Sequence, residues 1–90
     1  MSVYIGGSVQ NMANQISEGY ILLTPVILKK YKRHELQALE HELDKLAKEL
    51  RGEQIPLDDT QAIQKKNRKL GRLNQGLMVV RNIMSEMARR

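Results

Sequence analysis

The hydrophobic positions in the middle of the chain follow a three-four alternation that is typical of an α-helix. Leucines recur at positions 36, 39, 43, 46 and 50, and this spacing places them on one face of a helix, as in a coiled coil. Thr24 and Pro25 supply an N-cap and a first-turn proline, and Gly52 supplies a candidate left-handed C-cap. The pattern therefore predicts a long helix over 24–51.

A second apolar seam follows after a short interruption at 52–57. Its members again repeat at heptad spacing and are Ile63, Leu70, Leu73, Leu77, Val80, Met84 and Met87. Asp58 or Asp59 is placed to cap this second helix, which the pattern extends over 58–88. Because short loops join antiparallel neighbours, the two long helices are predicted to form a hairpin.

The hairpin predicts which residues face each other. Folding the chain about its 54/55 midpoint pairs residues whose numbers add to roughly 110, so that Leu36 faces Leu73. In this register the basic run 65–72 lies beside acidic residues of the first helix, with Lys69 and Glu42 as a candidate ion pair. A structural interpretation of the run is therefore favoured over a nucleic-acid patch.

The first 23 residues are predicted to form a separate, shorter element. Ser8 can cap a helix that places Val9, Met12 and Ile16 on one face, and Gly19 is positioned to end it. The predicted fold class is therefore all-α: one domain over 1–90, with an antiparallel helical hairpin and a short N-terminal helix.

Apolar side chains at the open end of the hairpin exceed what one partner helix can cover. They are Val26, Ile27, Leu28, Leu77, Met78, Val79, Val80, Ile83, Met84 and Met87. Either the N-terminal segment covers this candidate interface, or a second chain does, or both do. A chain of this size buries a modest core, so we expect a dimer of hairpins that forms a four-helix bundle.

The net charge of +5 is unevenly distributed. The loop half of the hairpin is nearly neutral, whereas the open end carries seven cations against the carboxylates of Glu18, Glu35 and Glu86. The seven cations are Lys29, Lys30, Lys32, Arg33, Arg81, Arg89 and Arg90. Four of them would occupy the first turns of a helix, where the dipole disfavours positive charge. These cations are candidate contacts to an anionic partner, and a solvated face is the alternative.

Several kinds of chemistry are disfavoured. The chain has no cysteine, and His34 and His41 would stand roughly 10 Å apart on one helix, too far to share a metal ion. No nucleophile and base can be paired, so the sequence predicts a non-enzyme without cofactor or metal. The longest apolar run is interrupted by Thr24 and Pro25 and is far shorter than the roughly 20 residues of a membrane span. A cytoplasmic protein that does not insert into membranes is expected.

Two functions remain open, and a third, an amphipathic helix on a membrane surface, has less support because the hairpin already accounts for the strongest apolar seams. The first is an interaction protein, such as a small adaptor, inhibitor or assembly subunit, that self-associates and docks a partner protein through its apolar, basic end. The second is a small basic nucleic-acid-binding bundle that contacts the backbone of a duplex or structured RNA, because aromatic residues for stacking are almost absent. A basic helical hairpin that dimerises resembles, in architecture, the Rop-type RNA-binding bundles of plasmid copy control.

Overall fold

The computed structural model describes residues 3–89 and is all-helical within that range. Its four helices are α1 (Val9–Ser17), α2 (Pro25–Leu28), α3 (Arg33–Gly52) and α4 (Thr60–Ala88). The two long helices, α3 and α4, pack against each other, α1 contacts both, and α2 contacts α4. The predicted all-α class and the pair of long helices are therefore confirmed.

Local sequence signals correctly place the helix ends that depend on capping. The side chains of Ser8, Thr24 and Asp59 each accept a hydrogen bond from the backbone N–H three residues later, at 3.1, 3.3 and 3.2 Å. Gly19 has a φ of +86°, which lets the chain turn away after α1. These four positions confirm the predicted start of α1, the proline-led start near residue 25, and the start of α4.

The predicted continuous helix over 24–51 is divided into α2 and α3. Residues 29–32 belong to neither helix, and Lys32 has an extended backbone with a φ of −79° and a ψ of 162°. The physical reason is the length of α4: Arg81 contacts Glu40 on α3, so a straight extension before Arg33 would soon pass the end of α4. The break instead turns α2 back onto α4, where Leu28 becomes fully buried.

The end of α3 also differs from the prediction. Gly52 is the last residue of α3 and does not adopt a left-handed conformation. The chain leaves the helix at Glu53, which is extended, and the Lys66 ammonium donates a 2.8 Å hydrogen bond to the Glu53 carbonyl. A lysine from α4 therefore holds the chain directly after α3, where it turns without a left-handed glycine.

The register of the hairpin is displaced from the predicted one. Glu40 contacts Arg81, and the Glu53 carbonyl accepts from Lys66. Relative to the prediction, α4 is shifted by about ten residues, close to three helical turns, so Leu36 and Leu73 do not face each other at the same level. In this register the first turns of α4 extend beyond the end of α3, and the connection 53–59 spans that overhang.

The core is formed within a single chain because α1 lies across the α3–α4 pair. Met12 and Ala13 are fully buried and Ile16 nearly so. The full set of buried hydrophobic residues is Met12, Ala13, Ile16, Leu23, Leu28, Tyr31, Leu36, Leu39, Leu43, Ala47, Leu73, Leu77 and Val80. The N-terminal segment therefore covers part of the surplus apolar surface. Dimerisation stays a prediction.

Candidate docking surface

Four of the predicted anionic-partner contacts lie together in the segment between α2 and α3. We call residues 29–33 the basic loop; Lys29, Lys30, Lys32 and Arg33 are all exposed there. None of the three ion pairs found within residues 3–89 involves any of these four side chains. The basic loop therefore presents four cations to solvent within five consecutive residues.

Tyr31, the one uncharged residue of the basic loop, anchors it to the core. Its side chain is 2% exposed, its hydroxyl donates to the Met12 sulfur at 3.5 Å, and its ring lies 5.8 Å from the ring of Tyr4. Burial raises the pKa of the Tyr31 hydroxyl above its ordinary value, and the nearby carboxylate of Glu35 raises it further. The loop is therefore held in place by a buried neutral phenol; its four cationic residues are exposed, and the Lys30 ammonium lies 5.8 Å from the centroid of the Tyr31 ring.

Glu35 fixes the start of α3 just after the basic loop. Its carboxylate accepts a 2.7 Å hydrogen bond from the backbone N–H of Lys32, and its backbone carbonyl accepts from the Tyr4 hydroxyl at 2.9 Å. The predicted conflict between cations and a helix start is smaller than expected. Lys29 and Lys30 follow the C-terminal end of α2, where positive charge is favourable, and only Lys32 and Arg33 lie at the start of α3.

The three other predicted cations are placed differently. The Arg81 guanidinium pairs with Glu40, with 2.9 Å between Nε and Oε2, so part of its charge is already compensated. Arg89 is exposed at the end of α4. Arg90 lies outside the described residues. The structure therefore brings together the cations of the basic loop, whereas Arg81 belongs to the contact between α3 and α4.

The predicted apolar interface separates into three groups. Leu28, Leu77 and Val80 are buried in the core of their own chain, which corrects their assignment to an open interface. Val26 and Met78 are 75% and 61% exposed. The remaining five are half-buried against the core, and these are Ile27, Val79, Ile83, Met84 and Met87. The N-terminal segment and α2 therefore cover part of the surface that the sequence left open.

A small cavity lies where α2 meets the last turns of α4. It encloses about 100 Å³ and is lined by Pro25, Leu28, Lys29, Ile83, Glu86 and Met87. Four of the six lining residues are apolar, and the two charged ones have opposite signs. We call this pocket the end cavity. It could not be predicted from the sequence, because no sequence pattern marks the turn that brings α2 onto α4.

The basic run 65–72 has a structural role, as predicted, but with different partners. Lys69 pairs with Glu18 at 2.8 Å instead of with Glu42, and Arg72 donates to the Ser17 carbonyl at 2.9 Å. Both partners belong to the end of α1. This part of the run therefore fastens α1 to α4, because the displaced register moves these residues away from the middle of α3.

The ion pair between Glu18 and Lys69 gives a prediction about acid stability. The hydrogen bond from Lys69, and then its charge, hold the pKa of Glu18 below the ordinary value of 4.5. A carboxyl group with a lowered folded-state pKa stabilises the fold above that ordinary value, and this stabilisation is lost as pH falls through the folded-state pKa. We expect the urea concentration at the midpoint of unfolding to decrease when the pH is lowered below 4.5. This decrease should be smaller in Glu18→Gln than in the wild type.

The matched control is Glu49→Gln, which removes an exposed carboxylate of α3 that has no ion pair within the described part of the chain. Urea denaturation followed by circular dichroism at neutral and acid pH measures both variants. Equal pH dependence in Glu18→Gln and wild type would contradict a stabilising pair at Glu18.

The outer face of α3 carries a second group of positive and ionisable side chains. His34, Gln37, His41, Lys45 and Lys48 are all exposed and follow the three-four spacing of one helical stripe. Asp44 borders this stripe and pairs with Lys48 at 3.0 Å, and this contact holds the pKa of Asp44 below its usual value. The two histidines do not belong to any cluster of three potential metal ligands within residues 3–89.

Comparison with known protein families, curated proteins and solved structures finds no match to this chain. Within the described range, no helix combines the length and apolar character needed to cross a membrane. The class that the fold defines is therefore an all-α protein built on two long packed helices, and functional inference must start from the surface itself.

Proposed function

We propose that this chain is a non-enzymatic helical interaction protein that docks an acidic protein partner through its basic loop and the adjoining apolar end. The observation that carries the proposal is the basic loop. Four exposed cations without an ion pair stand within five residues, next to the exposed Val26 and the half-buried Ile27. Interfaces commonly combine an apolar centre with a charged rim that steers the partner.

The construction of the basic loop supports a binding role. A solvated charged segment has no need of a fixed conformation, yet the buried side chain of Tyr31 and the hydrogen bond from the Lys32 backbone N–H to Glu35 anchor this one. Cations presented on a fixed loop lose less conformational freedom when a partner binds. Preorganised charge of this kind favours rapid, salt-sensitive association with an acidic surface.

Charge reversal of the basic loop tests the proposal. The variant Lys29→Glu/Lys30→Glu/Lys32→Glu is expected to weaken binding of a fluorescent peptide, rich in Glu and Leu, by about 3- to 100-fold, since each exposed charge contributes roughly 0.2–1 kcal/mol. Fluorescence polarisation at low and moderate salt measures the affinity.

The matched control is Arg51→Glu/Lys65→Glu/Arg68→Glu, which makes the same change in net charge with exposed residues of the loop half. We expect it to reduce affinity much less than the basic-loop variant does. Equal losses in the two variants would show that the peptide responds to net charge alone, and the docking proposal would then be abandoned.

Self-association is the second part of the proposal. Its support is the exposure of two large apolar side chains in the connection between α1 and α2: Tyr20 and Leu22 are 80% and 65% exposed. A symmetric contact between two copies would cover them on both chains. Light scattering distinguishes a dimer from a 10.4 kDa monomer, and Tyr20→Ser/Leu22→Ser is expected to shift the mass toward the monomer.

Nucleic-acid binding is the alternative function, and the outer face of α3 favours it. The stripe from His34 to Lys48 has no carboxylate at its five outermost positions and continues from Arg33 and the basic loop. Such a row suits contact with a phosphate backbone. In this case Lys45→Ala/Lys48→Ala would weaken binding to duplex RNA and reduce its salt dependence, whereas the acidic peptide would bind these variants as it binds wild type.

A further inference from the structure

The end cavity between α2 and α4 has the dimensions of a site for one side chain. Its volume of about 100 Å³ is well below the roughly 300–1,000 Å³ of ligand and cofactor sites. It is also smaller than the cavity of about 150 Å³ that accepts benzene. An aliphatic side chain therefore suits the cavity better than an aromatic ring or a free metabolite.

The walls of the cavity favour an apolar occupant. Leu28 is fully buried behind it, and Pro25, Ile83 and Met87 supply the remaining apolar lining. Interfaces draw much of their affinity from a few apolar side chains that enter such pockets and exclude water. Ile83 and Met87 are half-buried, so they keep part of their surface available to an incoming side chain.

The charges around the opening of the cavity indicate which residues should flank the inserted side chain in the partner. Lys29 enters from the α2 side and is followed by the rest of the basic loop, whereas Glu86 enters from α4. An acidic segment attached to the bound side chain is attracted toward the basic loop, while the exposed Arg89, one turn after Glu86 at the end of α4, offsets the charge of Glu86. The charge distribution therefore favours an acidic partner whose chain extends from the cavity along the basic loop.

The geometry points to a specific partner chemistry: an acidic peptide segment that inserts one leucine, isoleucine or valine side chain into the end cavity and lays its carboxylates along the basic loop. This inference rests on the proposed docking function and adds the anchor to it. Since burying one aliphatic side chain contributes about 1.5–3 kcal/mol, the anchor is expected to raise affinity about 10- to 100-fold.

Two acidic peptides that differ at one position test the anchor with the wild-type protein. One contains a single Leu among Glu and Asp residues, and the other has Ser in its place. We expect the Leu peptide to bind about 10- to 100-fold more tightly. We also expect methyl resonances of Leu28, Ile83 and Met87 to shift in NMR spectra with the Leu peptide and to remain in place with the Ser peptide.

A variant pair then locates the anchor. Met87→Ser is expected to remove most of the difference between the two peptides, whereas Met78→Ser, a change at an exposed position outside the cavity lining, is expected to preserve it. Circular dichroism confirms that both variants are folded.

The possible failures are distinguishable. Equal, salt-sensitive binding of the two peptides overturns the anchor and leaves docking by the basic loop standing. If neither peptide binds at low salt, both proposals fall. Tight binding of duplex RNA with no peptide binding transfers the function to the nucleic-acid alternative and likewise overturns the anchor.

Discussion

Replacing Met12 by Ala is expected to lower the free energy of unfolding by about 2–5 kcal/mol. Met12 is fully buried, and its sulfur accepts the hydrogen bond from Tyr31. The substitution leaves a cavity at the place where α1 meets the rest of the bundle and removes that acceptor. Alanine has a high helix propensity, so the loss cannot be assigned to a weaker α1 and must come from the core.

The matched control for Met12→Ala is Leu57→Ala, because Leu57 is a large apolar residue that is 93% exposed. We expect this control to change stability by less than about 0.5 kcal/mol. Urea denaturation followed by circular dichroism measures both. A chain of this length has a total stability of roughly 5–13 kcal/mol, so the Met12 loss is easily resolved. Near-equal stabilities for the two variants would show that α1 is not part of the cooperative core.

Substitutions at Gly76 are expected to change stability in opposite directions according to side-chain size. Gly76 is buried in α4, and a Cβ atom there would lie 3.5 Å from Ile16 Cγ2 and Leu23 Cδ1 and 3.6 Å from Leu43 Cδ1. These are ordinary contact distances, so Gly76→Ala should raise the free energy of unfolding by up to about 1 kcal/mol through helix propensity. Gly76→Leu should lower it by about 1–3 kcal/mol because the site has no room for further atoms.

Gly71 provides the matched control, since it lies in the same helix, is exposed, and has no atom within 4 Å of an added Cβ. Both Gly71→Ala and Gly71→Leu should therefore raise stability by up to about 1 kcal/mol. Thermal unfolding of the four variants gives the comparison. A stabilising Gly76→Leu would mean that α1 and the segment after it do not pack tightly over α4.

Local chemistry explains which parts of the fold the sequence predicts well. A capping side chain needs only a backbone N–H three residues away, so Ser8, Thr24 and Asp59 identify helix starts without knowledge of the rest of the chain. The leucine seam of α3 likewise reflects one period within one element: Leu36, Leu39 and Leu43 are all fully buried.

The misplaced features depend on contacts between distant segments. The break before Arg33 follows from where α4 ends, and the register is fixed by contacts between the two helices, such as that of Glu40 with Arg81. The partners of Lys69 and Arg72 are set by α1, more than 50 residues earlier. Periodicity within a helix carries no information about its level relative to another helix, so these relations required the three-dimensional structure.

The candidate docking surface likewise has features that the sequence predicts and features that it does not. Sequence alone identified the cations of the basic loop, because their density is a local property of residues 29–33. It wrongly assigned Leu28, Leu77 and Val80 to an open interface. These residues are buried in the core, and their burial depends on how the helices pack together, which is not a local property of the sequence. The end cavity was not predicted because it exists only where α2 turns back onto Ile83 and Met87.

The attachment of α1 to α4 has a consequence for the order in which the chain can fold during synthesis. Arg72 donates to the carbonyl of Ser17, a residue 55 positions earlier. At roughly 5–20 residues per second, translation of that interval takes about 3–11 seconds. Throughout this time α1 has been synthesised but lacks α4, one of the two long helices that cover its apolar face. The cover of α1 is therefore complete only after α4 has been made, so the last helix described finishes the core around an element made much earlier.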